Sequence, residues 1–201
     1  MAIAKTMHEG VIVTGFEPFS NFNSNISQKI AELISKEDTF DFKISTSILT
    51  VDESGSREIS DRIECGENIG AVIHLGFSEG ASEILLERYA KNRFQMRISD
   101  NSGRTITSRP ISSGNPTLET KVPTNFIDQY LKDVSAIRWS YDAGGFVCNE
   151  TYFRSLLASS ERQLPIVLFI HLPSEKIIPL EEQYRIILLI CKSINRILSS
   201  Y

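Results

Sequence analysis

Short apolar runs alternating with amphipathic helical stretches predict an α/β layered fold built on a largely parallel sheet. Three observations carry that prediction. Val11-Ile12-Val13-Thr14, the run 71–75 and the run 165–171 are apolar stretches of strand length, ending at Gly15, Gly76 and Leu172-Pro173. Between them lie stretches whose apolar residues recur three and four positions apart, the period of a helix with one buried face. The composition, 41% apolar and 23% charged with a mean hydropathy of −0.10, suits a chain able to build a core. At ~150 residues per domain, 201 residues predict one domain spanning 1–201.

The elements follow in order. After the first strand, Ile26, Ile30, Leu33 and Ile34 mark a helix, with Ser24 or Asn25 as its N-cap. Residues 44–51 alternate as a second strand, and a helix follows over 53–63. Asp52 and Glu53 at its start supply a cap and a favourable charge. Residues 71–75 are the third strand. Residues 82–88 and 93–98 read as strand-like. Residues 99–119 hold many Ser, Gly, Asn, Thr and Pro and predict a long loop with room for a hairpin. A helix over 124–131, a strand over 136–140, a helix over 147–159 and the strand 165–171 come next. The last helix, 180–198, carries Ile186, Leu189, Ile190, Ile194 and Ile197 on one stripe.

Several function classes are excluded. A net charge of −4 and a pI of about 5.5 speak against a basic nucleic-acid-binding surface. The longest apolar run, Ile186 to Cys191, is far below the ~18 residues that span a bilayer. Met1 to Gly10 lacks the apolar stretch of a signal peptide. Three cysteines, Cys65, Cys148 and Cys191, form no disulfide framework and fit a reducing compartment, so a cytoplasmic location is expected. No CxxC or HxxxH pair exists, so no zinc site is expected. Gly76-Phe77-Ser78-Glu79-Gly80 has the wrong spacing for a phosphate loop, and no GxSxG elbow occurs.

The scarce reactive side chains carry the candidate chemistry. Cys148 follows Gly144-Gly145 and opens a predicted helix, where the dipole and unpaired N–H groups favour a thiolate and can bind an oxyanion. The other reading is a buried cysteine acting as a small hydrophobe. His171 ends an apolar strand, where sites form in open α/β sheets. It is either a catalytic base or a histidine bonded to loop carbonyls. Glu87, inside Leu85-Leu86-Glu87-Arg88-Tyr89-Ala90, needs a partner, either an imidazolium or a structural arginine. His74 lies within a strand and reads as a satisfied core residue. His8 sits in the terminal segment, and Cys65 and Cys191 read as incidental.

These residues fall in four motifs that resemble one family, the pyroglutamyl peptidases. Gly15-Phe16-Glu17-Pro18-Phe19 is similar to the family's GFxPF opening, and Leu86 to Asn92 to its xERxAxN segment. Ala143-Gly144-Gly145-Phe146-Val147-Cys148-Asn149 resembles AGxFVCN, and Ile170-His171-Leu172-Pro173 resembles IHxP. The resemblance implies a three-layer α/β/α sandwich with a central, mostly parallel mixed sheet. It implies a cysteine exopeptidase that removes an N-terminal pyroglutamyl residue from peptides, needs no cofactor or metal, and assembles as a homo-oligomer, a dimer or tetramer. It implies Cys148 as nucleophile, His171 as general base and acid, Glu87 as the histidine's orienter and Arg97, in an RIxDN match, as an oxyanion partner. Phe16, Phe19, Phe146 and Val147 would line the pyroglutamyl pocket, with Asn25 and Thr50 at matching positions and Phe77 as a further substrate-binding residue. The chain departs from the family at 76–81. Phe77 stands where a glutamine is usual, Ala81 where an arginine is, and Gly145 replaces a common threonine. Those changes keep two other readings open, a cysteine amidohydrolase of different acyl specificity and a weakly catalytic binding module.

Overall fold

A computed structural model describes residues 10–200. The terminal residue His8 lies outside them. The chain order is β1 (Val11–Phe16), α1 (Ile26–Ile34), β2 (Ile44–Leu49), α2 (Glu53–Glu64), β3 (Ala71–Phe77), β4 (Ile84–Glu87), β5 (Tyr89–Lys91), β6 (Phe94–Gln95), β7 (Thr107–Arg109), β8 (Thr117–Glu119), α3 (Thr124–Tyr130), β9 (Ile137–Ser140), α4 (Val147–Ser159), β10 (Ile166–Leu172) and α5 (Leu180–Leu198). Six strands form one sheet in the order β2-β1-β3-β10-β4-β9. The first four run parallel, β4 lies antiparallel to β10, and β9 pairs parallel with β4. The sheet is mixed and mostly parallel, as expected.

Burial explains the layers. β1 and β10 are buried along their whole length and are apolar but for Thr14 and His171, because both faces are covered. Val11, Val13, Ile73, Leu168 and Ile170 pack with α1, α3 and α5. Ile12, Phe16, Val72, Val167 and Phe169 point the other way, into α2 and α4. The period-two alternation of side chains therefore feeds two cores, one on each face.

Caps set several helix starts. Asn25 accepts a hydrogen bond from the Ser27 N–H to open α1, and Asp52 accepts one from the Gly55 N–H to open α2. On α5, Ile186, Ile187, Ile190, Ile194 and Ile197 are buried, whereas Leu189 is 38% exposed. The stripe expected to include Leu189 is thus rotated, with Ile187 taking the core position.

The expected hairpin within 99–119 is not found. β7 and β8 do not pair with each other. β8 adds antiparallel to β5 and β7 to β6, so the segment folds back on the chain that precedes it. Asn92 holds the fold-back. Its Oδ1 accepts from the Ile111 and Ser112 N–H groups, and its Nδ2 donates to the Ser112 and Asn115 carbonyls.

Candidate active site

Three strand ends and one helix start converge. β10 delivers His171, β3 delivers Gly76 and Phe77, β1 delivers Phe16, and α4 opens with Val147 and Cys148. Phe169 lies opposite Glu87 in the β10–β4 register and His171 opposite Leu85. Alternation therefore puts Glu87, Phe169 and His171 on the sheet face covered by α4.

The side chains connect in series. His171 Nδ1 lies 2.8 Å from Glu87 Oε1. The Cys148 thiol lines the same cavity and interacts with the same ring. Nδ1 is engaged by the carboxylate, so Nε2 is the ring atom left for the thiol. Glu87 is fully buried and His171 is 8% exposed. Burial on its own would lower the histidine pKa. Its hydrogen bonds and charge interactions with Cys148 and Glu87 outweigh burial and push it up to about 10, so the ring is an imidazolium at neutral pH. The buried Tyr152 hydroxyl donates to the Glu87 carbonyl at 2.8 Å and fixes the backbone beneath the carboxylate.

Of the two partners that the sequence left open for Glu87, the imidazole is the one present, while Arg88 turns outward to Glu119. His74 is a satisfied core residue, as expected. Its ring nitrogens lie 2.8 Å from Thr14 Oγ1 and 3.0 Å from Ser155 Oγ, and burial lowers its pKa to about 3. Cys65 is exposed, and Cys191 is buried with its thiol pushed up to about 12 by desolvation.

A cavity of about 230 Å³ opens beside Cys148 and His171. It is below the roughly 300–1,000 Å³ of sites for larger ligands, so it suits a small group. Phe16, Phe19, Asn25, Phe77, Phe146 and Val147 line it, all of them expected to do so. The aromatic wall is continuous: ring centroids are 5.9 Å apart for Phe19–Phe146, 5.5 Å for Phe19–Phe22 and 5.2 Å for Phe22–Phe77. Asn25 does double work, capping α1 and donating from Nδ2 to the Glu17 carbonyl at 3.1 Å.

Two expected positions are placed elsewhere. Thr50 is exposed, its hydroxyl 2.7 Å from Asp52 Oδ1, and the neighbouring Val51 lines the cavity instead. The strand ends one residue before Thr50, and the turn into α2 recruits its hydroxyl. Arg97 is exposed, does not line this cavity, and makes no hydrogen bond or ion pair with another described residue. It lines an adjoining cavity, because only two residues of the segment 93–98 extend as a strand.

Other supporting residues were given no role in the sequence reading. Asn149 accepts from the Lys91 N–H and donates to the Lys91 and Arg93 carbonyls, tying α4 to β5. Asn101 donates to Glu17 Oε1 and the Pro18 carbonyl, bracing the turn between Phe16 and Phe19. Arg104 reaches Asp100 at 2.7 Å and Glu150 at 2.7 Å, and Arg154 reaches Glu150 at 2.8 Å. Asp100 and Glu150 are buried, and these guanidiniums offset the cost of burying their carboxyl groups. Asn149 and Glu150 sit next to Cys148 in sequence, which is the one signal that could have marked them.

Among the described residues, no group of three or more His, Cys, Asp and Glu could hold a metal ion, and no helix is long and apolar enough to cross a membrane.

An α/β sandwich that sets cysteine, histidine and glutamate in series beside a small apolar slot defines a hydrolase of the cysteine-peptidase class. A family model described as pyroglutamyl peptidase matches residues 9–184. The chain belongs to the pyroglutamyl peptidase family. It is 31% identical over 166 residues to the pyrrolidone-carboxylate peptidase of Pyrococcus furiosus, covering 81% of this chain and 80% of that one. The fold is similar to the crystal structure of the pyrrolidone carboxyl peptidase of Fervidobacterium islandicum, with a TM-score of 0.84 at 30% identity over 93% of this chain and 98% of the other. It is similar also to that of Thermococcus litoralis, with a TM-score of 0.87 at 26% identity over 96% of each chain.

Proposed function

We propose that the chain hydrolyses the amide bond after an N-terminal pyroglutamyl residue through a thioester on Cys148, acting as one catalytic domain. The observation that carries the reading is the series Glu87–His171–Cys148 opening on the small phenylalanine-walled slot. Pyroglutamate is a neutral lactam, so flat apolar walls with a few polar backbone partners suit it. Cys148 sulfur attacks the acyl carbon, and the charge that develops on oxygen meets the first N–H groups of α4, whose start has no side-chain cap. The charged His171 gives its proton to the leaving amine as the C–N bond breaks. Water then attacks the thioester, His171 takes its proton, and the sulfur leaves. Glu87 holds the ring in one tautomer throughout.

The test is release of a fluorophore from a pyroglutamyl amide under reducing conditions. Turnover is expected from the parent and not from Cys148→Ser. No release, or release insensitive to that substitution, overturns the reading. Phe77, whose side chain lines the slot, favours a second reading in which another small acyl group is preferred, and a series of acyl amides separates the two. A cytoplasmic location and a homo-oligomer, dimer or tetramer, belong to the same proposal. Sedimentation of the purified protein checks the oligomer.

A further inference from the structure

The slot beside Cys148 has room for the acyl group, and the rest of a substrate must pass through its mouth. Asp142, Gly144, Gly145 and Phe146 line both the slot and a second cavity of about 550 Å³. The cavity on the other side, beside Ser174, shares only Phe77 with the slot. The wide exit therefore runs over the Gly144-Gly145 turn. Gly144 has φ +85° and open space where a side chain would stand, so a peptide backbone can pass close.

The charges of the second cavity are unevenly committed to partners. Asp142 carries ion pairs from Lys91 at 2.5 Å and Arg93 at 3.3 Å. Arg93 Nε is buried with no acceptor among the described residues. Arg97 lines the same wall with no ion pair to any described residue. The opposing carboxylate is Glu79, exposed at the rim. Arg93 and Arg97 face Asp142 and Glu79 across the cavity, and since Asp142 is already paired with Lys91 and Arg93, Arg97 is the uncommitted donor.

We propose that this cavity is the subsite for the leaving portion of the substrate, and that Arg97 there binds the free α-carboxylate of a pyroglutamyl dipeptide. The proposal rests on the pyroglutamyl-releasing function argued above. Arg97 is then a specificity residue and not an oxyanion partner. The two roles differ in readout: an oxyanion contact is shared by every substrate, whereas a carboxylate contact serves only substrates that carry the carboxylate.

The experiment compares kcat/KM for pyroglutamyl-alanine and pyroglutamyl-alanine amide, in the parent, Arg97→Gln and Arg97→Lys. The parent is expected to favour the acid by about threefold to tenfold at low salt, since an exposed guanidinium–carboxylate pair contributes modestly. The preference should lie in KM and shrink with added salt. Arg97→Gln should bring the acid-to-amide ratio close to one, and Arg97→Lys should restore part of it. Equal use of acid and amide by the parent overturns the subsite. A ratio that Arg97→Gln leaves intact, with both rates lowered together, also overturns it and returns Arg97 to the oxyanion. Failure of the parent to cleave either compound, or the arylamide, removes the underlying function and the subsite with it.

Discussion

Gly76 stands directly against Cys148: a methyl group on Gly76 would lie 3.0 Å from the Cys148 sulfur and 2.7 Å from Cζ of Phe169. Phe169 is fully buried, its ring 5.7 Å from that of Tyr152 and 4.8 Å from that of His171, and it has nowhere to move. The added methyl therefore strains the ring that packs on His171 as well as pressing on the sulfur. Gly76→Ala is expected to lower kcat by about 10²-fold, the cost of a misplacement near 1 Å. Overpacking should also destabilise the fold by about 1–3 kcal/mol. Steady-state kinetics with a thermal melt checks both, and parent-like values in the two would sink the claim.

Glu87→Gln keeps the shape of the buried side chain and removes its charge. The imidazolium then loses its carboxylate, and the amide can present the wrong group to Nδ1. The expected loss is on the order of 10²–10⁴-fold in kcat, with little change in KM. A large rise in KM at constant kcat would mean that Glu87 shapes the slot and does not orient His171.

The raised His171 pKa has a stability consequence with a definite sign. The ordinary value of 6.5 applies to the unfolded chain and about 10 to the folded one. The contribution is therefore fully present below pH 6.5 and is lost as pH rises through about 10. His171→Gln lacks the group, so the parent's advantage in melting temperature over this variant should decline across that window. A difference that grows as pH rises through it contradicts the assignment.

Arg104 bridges the buried carboxylates of Asp100 and Glu150. Arg104→Met preserves the aliphatic stem, leaves Asp100 without its cation and leaves Glu150 with Arg154 alone. The expected loss is about 3–5 kcal/mol, as for breaking a buried pair on one side. Asn101, next to Asp100, braces the Glu17-Pro18 turn, so KM should rise in whatever fraction stays folded. Denaturant unfolding and kinetics check the pair of effects, and a variant as stable as the parent refutes the bridge.

The parts legible in sequence were those fixed by neighbours in the chain. α4 runs from Val147 to Ser159 behind its glycine turn and α5 from Leu180 to Leu198 along its apolar stripe, and Asn25 and Asp52 cap where short polar side chains precede apolar periods. Cys148, His171 and Glu87 were nameable because each breaks an apolar or glycine-rich context. Thr50 was expected at the pocket and Val51 lines the slot, since which of the two faces it depends on where β2 yields to the α2 turn. Arg97, expected at the oxyanion, stands on the adjoining cavity, because the path of 93–119 is set by pairing across the fold-back and not by local alternation. Arg104, Glu150 and Asn101 were silent for a related reason. A charged or amide side chain declares its partner only when burial removes water, and burial is a property of the assembled layers.

His74 and His171 sit on neighbouring strands of one sheet with opposite protonation. One ring, bonded between Thr14 and Ser155, is neutral above pH 3 or so, and the other holds its proton until about 10. Histidine is ordinarily the side chain that reports cellular acidity. Here the sheet has tuned both of its histidines out of that role, so modest swings in the acidity around the protein leave the charge of each as it was.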